Sequence, residues 1–488
     1  MAIFMKKVLV LGASGYIGSQ LLAKLCDKGY AVTAAARQVD YLSARTIPRP
    51  NLELCYLDLA DAEATQALVC QFDLVYFLVH GMAQGHDFIE YEVSLAENFK
   101  AALERSHVQQ VIYLSAIQPQ TGNSEHLLAR KMTGDILRKS GVPIIEIRAG
   151  VIIGPGSAAF EIMRDFVYNL PVLITPKWVD SQANPIALEN INYYLLQLAE
   201  NLSDEHQIYE AGGPDLLSYR EQFKVICQAS HQPYRLYATS LLTPKMASYW
   251  LGMVTSVPAS IGSALLAGLE HDFIADSSQL EARFPQAMIS FEAMVTTSIE
   301  QEGKFVRSNV WGFDPAALNR WQAGYGYYPK QTGASIETKL SAEQLWQVVK
   351  TLGNPKDPYF FANALWRTRE WLDIFFGGGK PIRRSPEGPE LKVGDYIDSW
   401  KVIRCEQDQF LSLLFGMQGP GLGRLEFSIT DQGDTRLLNI TAWWHPQGFK
   451  GLLYWFAMMP AHLFIFKGMV KAIVRKAKAN THNSKEPK

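Results

Sequence analysis

Three glycines at fixed spacing constrain this chain more than any other feature. Gly12, Gly15 and Gly18 form G-x-x-G-x-x-G directly after the apolar run Val8–Leu11 and at the start of a helical stretch through Gln20–Asp27. Glycines so placed allow a tight turn, a close approach of backbone to a pyrophosphate, and close packing of helix on strand. The N-terminus of the helix adds unpaired N–H groups and a partial positive charge, which suit phosphates. Strand, turn and helix together predict a dinucleotide-binding unit, with Ser14, Tyr16 and Ile17 of the same turn beside the cofactor. The competing reading is glycines kept for packing alone.

The following segments extend the pattern. Ala31–Ala35, Leu52–Leu57, Leu74–Val79, Val111–Leu114 and Ile144–Ile147 read as short buried strands, alternating with helical stretches such as Tyr91–Leu103. Strands alternating with helices imply a parallel sheet covered on both faces. The second strand ends at Arg37, with no acidic residue in Thr33–Gln38. An NAD site places a carboxylate near here for the ribose 2′-OH, whereas an arginine accommodates the 2′-phosphate of NADP. Arg37 therefore favours NADP over NAD, against the reading of a solvated surface arginine. Asp58, after the third strand, suits either the adenine side of the cofactor or an Asx turn. Val79 ends the fourth strand and His80 follows it, at the carboxyl edge where such cofactors lie, although a structural loop histidine is the reading favoured for His80.

Composition excludes several classes. Hydrophobic residues make up 48% and charged residues 19%, the balance of a packed protein. The net charge of -2 lacks the basic excess of a nucleic-acid binder. The five cysteines show no metal-ligand spacing, and their odd number argues against a disulfide framework. A reducing, cytoplasmic compartment follows as the expectation. The N-terminal apolar run leads straight into glycines and reads as a strand rather than a signal peptide.

Farther along, Gly154–Pro285 becomes irregular and helix-rich, and Ser218–Glu221 has capping-box spacing. The pattern changes again at Trp311–Lys330, rich in Gly, Pro and aromatics. Beyond it come a strand at Ser335–Leu340, a helix capped by Ser341–Gln344, and a helix over Pro358–Phe376. Tyr396–Val402, Phe410–Phe415, Arg424–Ile429 and Arg436–Trp444 read as an antiparallel meander, with the Asp431–Asp434 turn joining the last two.

Three stretches then carry a family resemblance: LVLGASGYIG, VIYLSAI and GVPIIEIRAGVIIGPGSAAF. They resemble the atypical short-chain dehydrogenase/reductases. LLFGMQGPGLGRL and YWFAMMPAHLFIFKGM resemble a C-terminal domain of unknown function joined to such domains, with an SRPBCC-like (START-like, helix-grip) fold. The resemblance implies an α/β fold: a Rossmann doubly wound parallel sheet with a helical substrate region, followed by an α+β helix-grip domain. The corresponding boundaries are 1–310 for the NAD(P)-binding part, with a substrate region at about 154–300, then a linker at 311–332, the C-terminal domain at 333–480 and a tail at 481–488. It also implies a catalytic Ser after the fifth strand, where Ser115 stands, and a Tyr-x-x-x-Lys helix. This chain departs from that pattern, with His126 and Arg130 at the two positions and Lys131 adjacent. An imidazole can exchange a proton near neutral pH, and Arg130 or Lys131 can supply a fixed charge. The other reading is a site that binds cofactor and does no chemistry.

The apolar run Gly451–Phe466 has 16 residues and contains Pro460. A membrane span needs about 20. We expect one helix over Gly451–Lys478, buried along its first half in the C-terminal domain; the resemblance implies an apolar cavity between helix and sheet, with Phe415, Trp443 and Trp444 as candidate lining or as plain core. The stripe Lys467, Lys471, Arg475 and Lys478 reads as a solvated face that can also meet anionic lipid as a weak peripheral contact. The expected function is an NADP(H)-dependent oxidoreductase acting on an apolar small molecule. The alternative is a non-catalytic NADP(H)-binding sensor or assembly factor whose C-terminal domain binds lipid or a partner.

Overall fold

Alternate residues of the first strand belong to different cores. In β1 (Lys7–Leu11), Val8 and Val10 join one buried cluster while Leu9 and Leu11 join another. The same division splits Leu74 and Tyr76 from Val75 and Phe77 in β4 (Leu74–Phe77). A strand buried on both faces needs apolar residues at every position, which explains the unbroken runs in the sequence.

The computed structural model describes residues 6–43, 46–81, 88–118, 124–241, 244–266, 271–309, 320–322, 324–375, 391–397, 399–416 and 419–483. Between and beyond the two strands above lie β2 (Ala31–Ala36), β3 (Leu52–Tyr56), β5 (Gln110–Ala116), β6 (Ile144–Ala149) and β7 (Gln207–Ala211). They form a seven-stranded sheet in the order β7-β6-β5-β4-β1-β2-β3. Every neighbouring pair is parallel. The order reverses between β1 and β4, and the carboxyl ends of strands at such a switch point frame a ligand crevice. Helices α1 (Tyr16–Asp27), α2 (Val39–Ser43), α3 (Ala62–Val69), α4 (Phe88–Leu103) and α5 (Glu125–Leu137) connect the strands. Leu21, Leu22 and Leu25 of α1 cover one face, and Leu95 and Phe99 of α4 cover the other.

A third cluster builds the helix-rich region after β6. Phe160, Met163 and Phe166 of α6 (Ala158–Asn169) pack with Phe223 of α8 (Tyr219–Ala229). The intervening α7 (Leu188–Glu200) covers the parallel sheet instead, through Leu195 and Leu198. The Ser218–Glu221 capping box forms as its spacing predicts.

The chain divides into two compact units, 1–312 and 313–488. The second unit holds β8 (Lys330–Thr338), β9 (Tyr396–Ile397), β10 (Trp400–Glu406), β11 (Phe410–Phe415), β12 (Gly421–Asp431) and β13 (Arg436–Pro446). These form a six-stranded sheet, β8-β13-β12-β11-β10-β9, with antiparallel neighbours throughout. Gly433 turns the β12–β13 hairpin at φ 78°. Gly421 and Gly423 lie beneath the Trp444 indole, where a Cβ would stand 2.6 and 3.0 Å from ring atoms. Phe415 and Trp444 meet edge-on in the buried core, and Trp443 is half-buried, donating to Glu426 at 2.6 Å.

Several expectations need revision here. β8 begins at Lys330, because it pairs with β13 over its whole length, Lys330 opposite Trp444 to Thr338 opposite Arg436. The end of the expected 311–332 linker is therefore strand, while 310–319 and 323 lie outside the described residues. The helix expected from Pro358 starts at Asn363, since Phe360 and Ala362 adopt positive φ and Asn363 accepts the Tyr359 N–H. The long C-terminal helix runs over Gly448–Asn483, with Pro460 inside it. Its burial extends beyond the expected first half, where Leu452 and Trp455 are buried. Ile465, Phe466, Met469, Val470, Ile473 and Val474 of the second half join the core, whereas Leu453 and Phe464 of the first apolar run stand 60% and 58% exposed.

Candidate functional site

The crevice at the carboxyl ends of β1 and β4 is shaped by atoms that glycine lacks. Gly12 has φ 82°, and a Cβ there would stand 2.8 Å from the carbonyl carbon and oxygen of Leu78. A Cβ on Gly18 would stand 2.4 Å from the Gly12 carbonyl oxygen. Gly15 occupies the N-cap of α1, with no side-chain cap on the helix N-terminus. Its own N–H donates to the Gly12 carbonyl at 3.0 Å and closes the turn. Ser14, Tyr16 and Ile17 are half-buried around it. Tyr16 reaches the segment after β6, where a Cβ on Gly154 would meet its hydroxyl oxygen at 2.3 Å. An uncapped helix start over a cradle that any Cβ would fill fits the pyrophosphate of a dinucleotide.

Arg37 lies at the end of β2 with an exposed side chain. It donates to the Tyr91 hydroxyl at 3.1 Å, and no carboxylate pairs with it among the described residues. Its charge therefore stays available. Asp58 accepts the Ala60 N–H at 3.0 Å, which closes an Asx-type turn after β3.

The wall of the crevice after β4 is held by a buried ion pair. Arg130 of α5 lies 3.4 Å from Glu92 of α4 and donates to the Val79 carbonyl at 2.9 Å. Glu92 also accepts the Gly81 N–H at 2.9 Å. Arg130 is thus a positioning residue that fixes the Val79–Gly81 loop. His80 belongs to this loop. The surrounding protein, and then the Arg130 charge, push its pKa down to about 4. Lys131 pairs with Asp135 on the exposed side of α5, 2.7 Å away.

Ser115 stands near the end of β5, buried, with the Tyr113 hydroxyl beside it. Tyr113, two residues earlier and on the same strand face, donates its hydroxyl to the Arg130 carbonyl at 3.0 Å. His126 opens α5, half-buried, with Nδ1 2.9 Å from the Ser124 hydroxyl. Burial first, and the Arg130 charge second, lower its pKa to about 4. The imidazole is neutral at neutral pH and can accept a proton or, as one tautomer, donate a hydrogen bond. Among the described residues, no group of three or more His, Cys, Asp or Glu side chains is placed to hold a metal.

An apolar pocket of about 80 Å³ opens beside this edge, lined by Val151, Ile162, Phe166, Trp178, Trp250 and Leu251 among others. Ile117 and Leu127, just after Ser115 and His126, belong to the core cluster that walls it. Glu92 was missed by sequence reasoning, although a signal existed. It falls one helical turn before Leu95 and two before Phe99, on the buried face of α4.

Comparison with known proteins agrees with this geometry. Residues 12–151 match the family described as NAD(P)H-binding, and residues 331–469 match a family described as protein of unknown function (DUF2867). The first unit therefore holds an NAD(P)-binding Rossmann domain. A stretch of 120 residues is 28% identical to a 3 beta-hydroxysteroid dehydrogenase/Delta 5-->4-isomerase of Mycobacterium tuberculosis, covering 22% of this chain and 31% of that protein. A stretch of 114 residues is 33% identical to a D-erythrulose reductase of Gallus gallus, covering 22% of this chain and 45% of that protein. The chain thus spans less than half the length of these curated relatives. Among solved structures, the Bordetella bronchiseptica enzyme WbmG in complex with NAD and UDP aligns at 14% identity, with a TM-score of 0.49, over 63% of this chain and 96% of that one.

Proposed function

We propose that this chain is an NADP(H)-dependent oxidoreductase acting on an apolar small molecule. The observation that carries this reading is the apolar pocket, whose core cluster is continuous with the ends of β5 and β6 beside Ser115 and His126. The glycine cradle and the uncapped start of α1 hold the pyrophosphate, and Arg37, unpaired with any described carboxylate, takes the 2′-phosphate. When bound, the cofactor supplies or accepts the hydride. Ser115 orients a substrate oxygen through its Oγ, and the neutral His126 ring, held by Ser124, hydrogen-bonds that oxygen and takes its proton when the substrate is an alcohol being oxidised, solvent returning the proton in the reverse direction. The second unit, in this reading, is a helix-grip domain that captures a hydrophobic ligand between its sheet and long helix. A cytoplasmic location suits the five free cysteines.

A second reading rests on Arg130. In this chain it is committed to Glu92 and Val79, so the α5 face lacks the free fixed cation of the Tyr-x-x-x-Lys arrangement. That favours a cofactor-binding sensor without turnover. NADPH oxidation across a panel of apolar carbonyls and quinones decides between them. We expect turnover with at least one, lost in His126→Ala while NADPH affinity stays within about twofold. Absence of turnover across the panel establishes the sensor reading.

A further inference from the structure

The long helix α15 (Gly448–Asn483, numbered after α9 to α14 at Pro244–Val254, Ala259–Leu266, Ser278–Arg283, Phe291–Asn309, Ala342–Val349 and Asn363–Phe375) presents one continuous outward face. Phe449, Leu453, Phe456, Pro460, Leu463 and Phe464 are exposed along its first half. Lys467, Lys471, Arg475 and Lys478 continue the same face, also exposed. Spacings of three and four place all of them on one side of a helix. The helix contains no acidic residue, and these four cations have no ion-pair partner among the described residues. Between the two halves lies a groove of about 430 Å³, lined by Phe361, Phe464, Lys467, Lys471 and Arg475. Gly468 makes room for it, since a Cβ there would stand 2.1 Å from the Phe361 ring.

We infer that this face docks on the anionic leaflet of a phospholipid bilayer. The aromatic and aliphatic half enters the headgroup–acyl boundary, and the cationic half meets lipid phosphates, with the groove receiving a headgroup against Lys467, Lys471 and Arg475. Charge selects this occupant over a second copy of the chain. Parallel pairing of two such faces sets the cationic stripes together, and antiparallel pairing buries cations against phenylalanines. By length and composition, Gly448–Thr481 is also apolar enough to cross a membrane. The opposite face argues for an in-plane position, because Phe466, Met469, Val470 and Ile473 are locked into the core of the antiparallel-sheet unit. Extraction into a bilayer would strip that core.

The test uses the full chain with vesicles of phosphatidylcholine alone and of phosphatidylcholine with phosphatidylserine. We expect sedimentation with the phosphatidylserine vesicles only, and release at high salt. Lys467→Ala with Lys471→Ala should weaken the binding about 30-fold. Leu453→Ser with Phe464→Ser should remove whatever binding survives salt. All four positions are exposed, and circular dichroism and thermal melting check that the variants fold. The inference is overturned by equal binding to both vesicles, by variants that bind like the parent, or by pellets released only by detergent. A concentration-dependent dimer lost in Leu453→Ser would assign the face to self-association instead.

Discussion

The cofactor cradle of the crevice and the wall after β4 are built from different materials. The cofactor side is made by omission: Gly12 and Gly18 leave space where a Cβ would collide with main chain. The wall is made by addition. Arg130 and Glu92 hold each other and the Val79–Gly81 loop, and Ser124 separately holds His126. Omission leaves a fixed pattern in the sequence, because only glycine serves. Addition leaves a weaker one, since a buried pair can be met by several residue types from distant segments.

The largest expected effect tests the side built by omission. Gly12→Val combines a left-handed backbone with a Cβ against the Leu78 carbonyl. The cost should be about 3–5 kcal/mol, and NADPH binding should be lost with it. Denaturant titration with calorimetry of the folded fraction reads both. A variant that melts and binds like the parent would show that the turn does not clasp the Leu78–Val79 backbone.

On the side built by addition, Arg130→Met leaves Glu92 buried without its cation and frees the Val79 carbonyl. We expect a loss of about 3 kcal/mol. Replacing both residues, Glu92→Gln with Arg130→Met, should recover part of that loss, because no lone charge then remains inside. If the double variant is as unstable as the sum of its parts, the two residues act independently and the wall is held by something else.

What could be read from the chain follows the same division. The central strands were legible because both faces are buried, so β1 and β4 run unbroken in apolar residues. β7 escaped notice because it is an edge strand, paired only with β6, and its sequence QIYEA alternates. β8 was placed late because it too is an edge, half-exposed, with Gly333 pressed against the Ile440 carbonyl. The glycine turn marked the cofactor cradle, but nothing local announced Glu92 as the partner of Arg130, since they lie on different helices. Hydropathy found the C-terminal helix and the burial of Leu452 and Trp455, yet missed that its second half is buried more extensively. Composition measures how apolar a segment is, and only the position of the sheet decides which turns it covers.

Arg37 adds a charge to the side built by omission, at the end of β2. With a neutral partner in Tyr91, its guanidinium should meet the 2′-phosphate. We expect NADPH to bind more tightly than NADH, and Arg37→Ala to erase the preference, a change of about tenfold or ~1.4 kcal/mol. Calorimetric titration of both cofactors reads it. Equal affinities in the unaltered protein would remove Arg37 from the site.

The smallest effect comes from the imidazole at the start of α5. His126 titrates at about 4 in the folded chain, lowered by burial and then by Arg130, against 6.5 for an ordinary histidine. Between those values the unfolded chain binds a proton that the folded one refuses, so stability falls as pH drops from 6.5 toward 4. His126 is half-buried, so its share should stay below about 1 kcal/mol at pH 5.5. His80 and His445 are shifted the same way, to about 4 and about 3, so the parent slope has several sources. The readout is therefore a difference: His126→Ala minus parent, by denaturant titration between pH 7.5 and 5. The variant should lose less stability than the parent on acidification. Parallel curves would mean that His126 titrates as it does in the unfolded chain, and that its ring is not held in the neutral form beside Ser115.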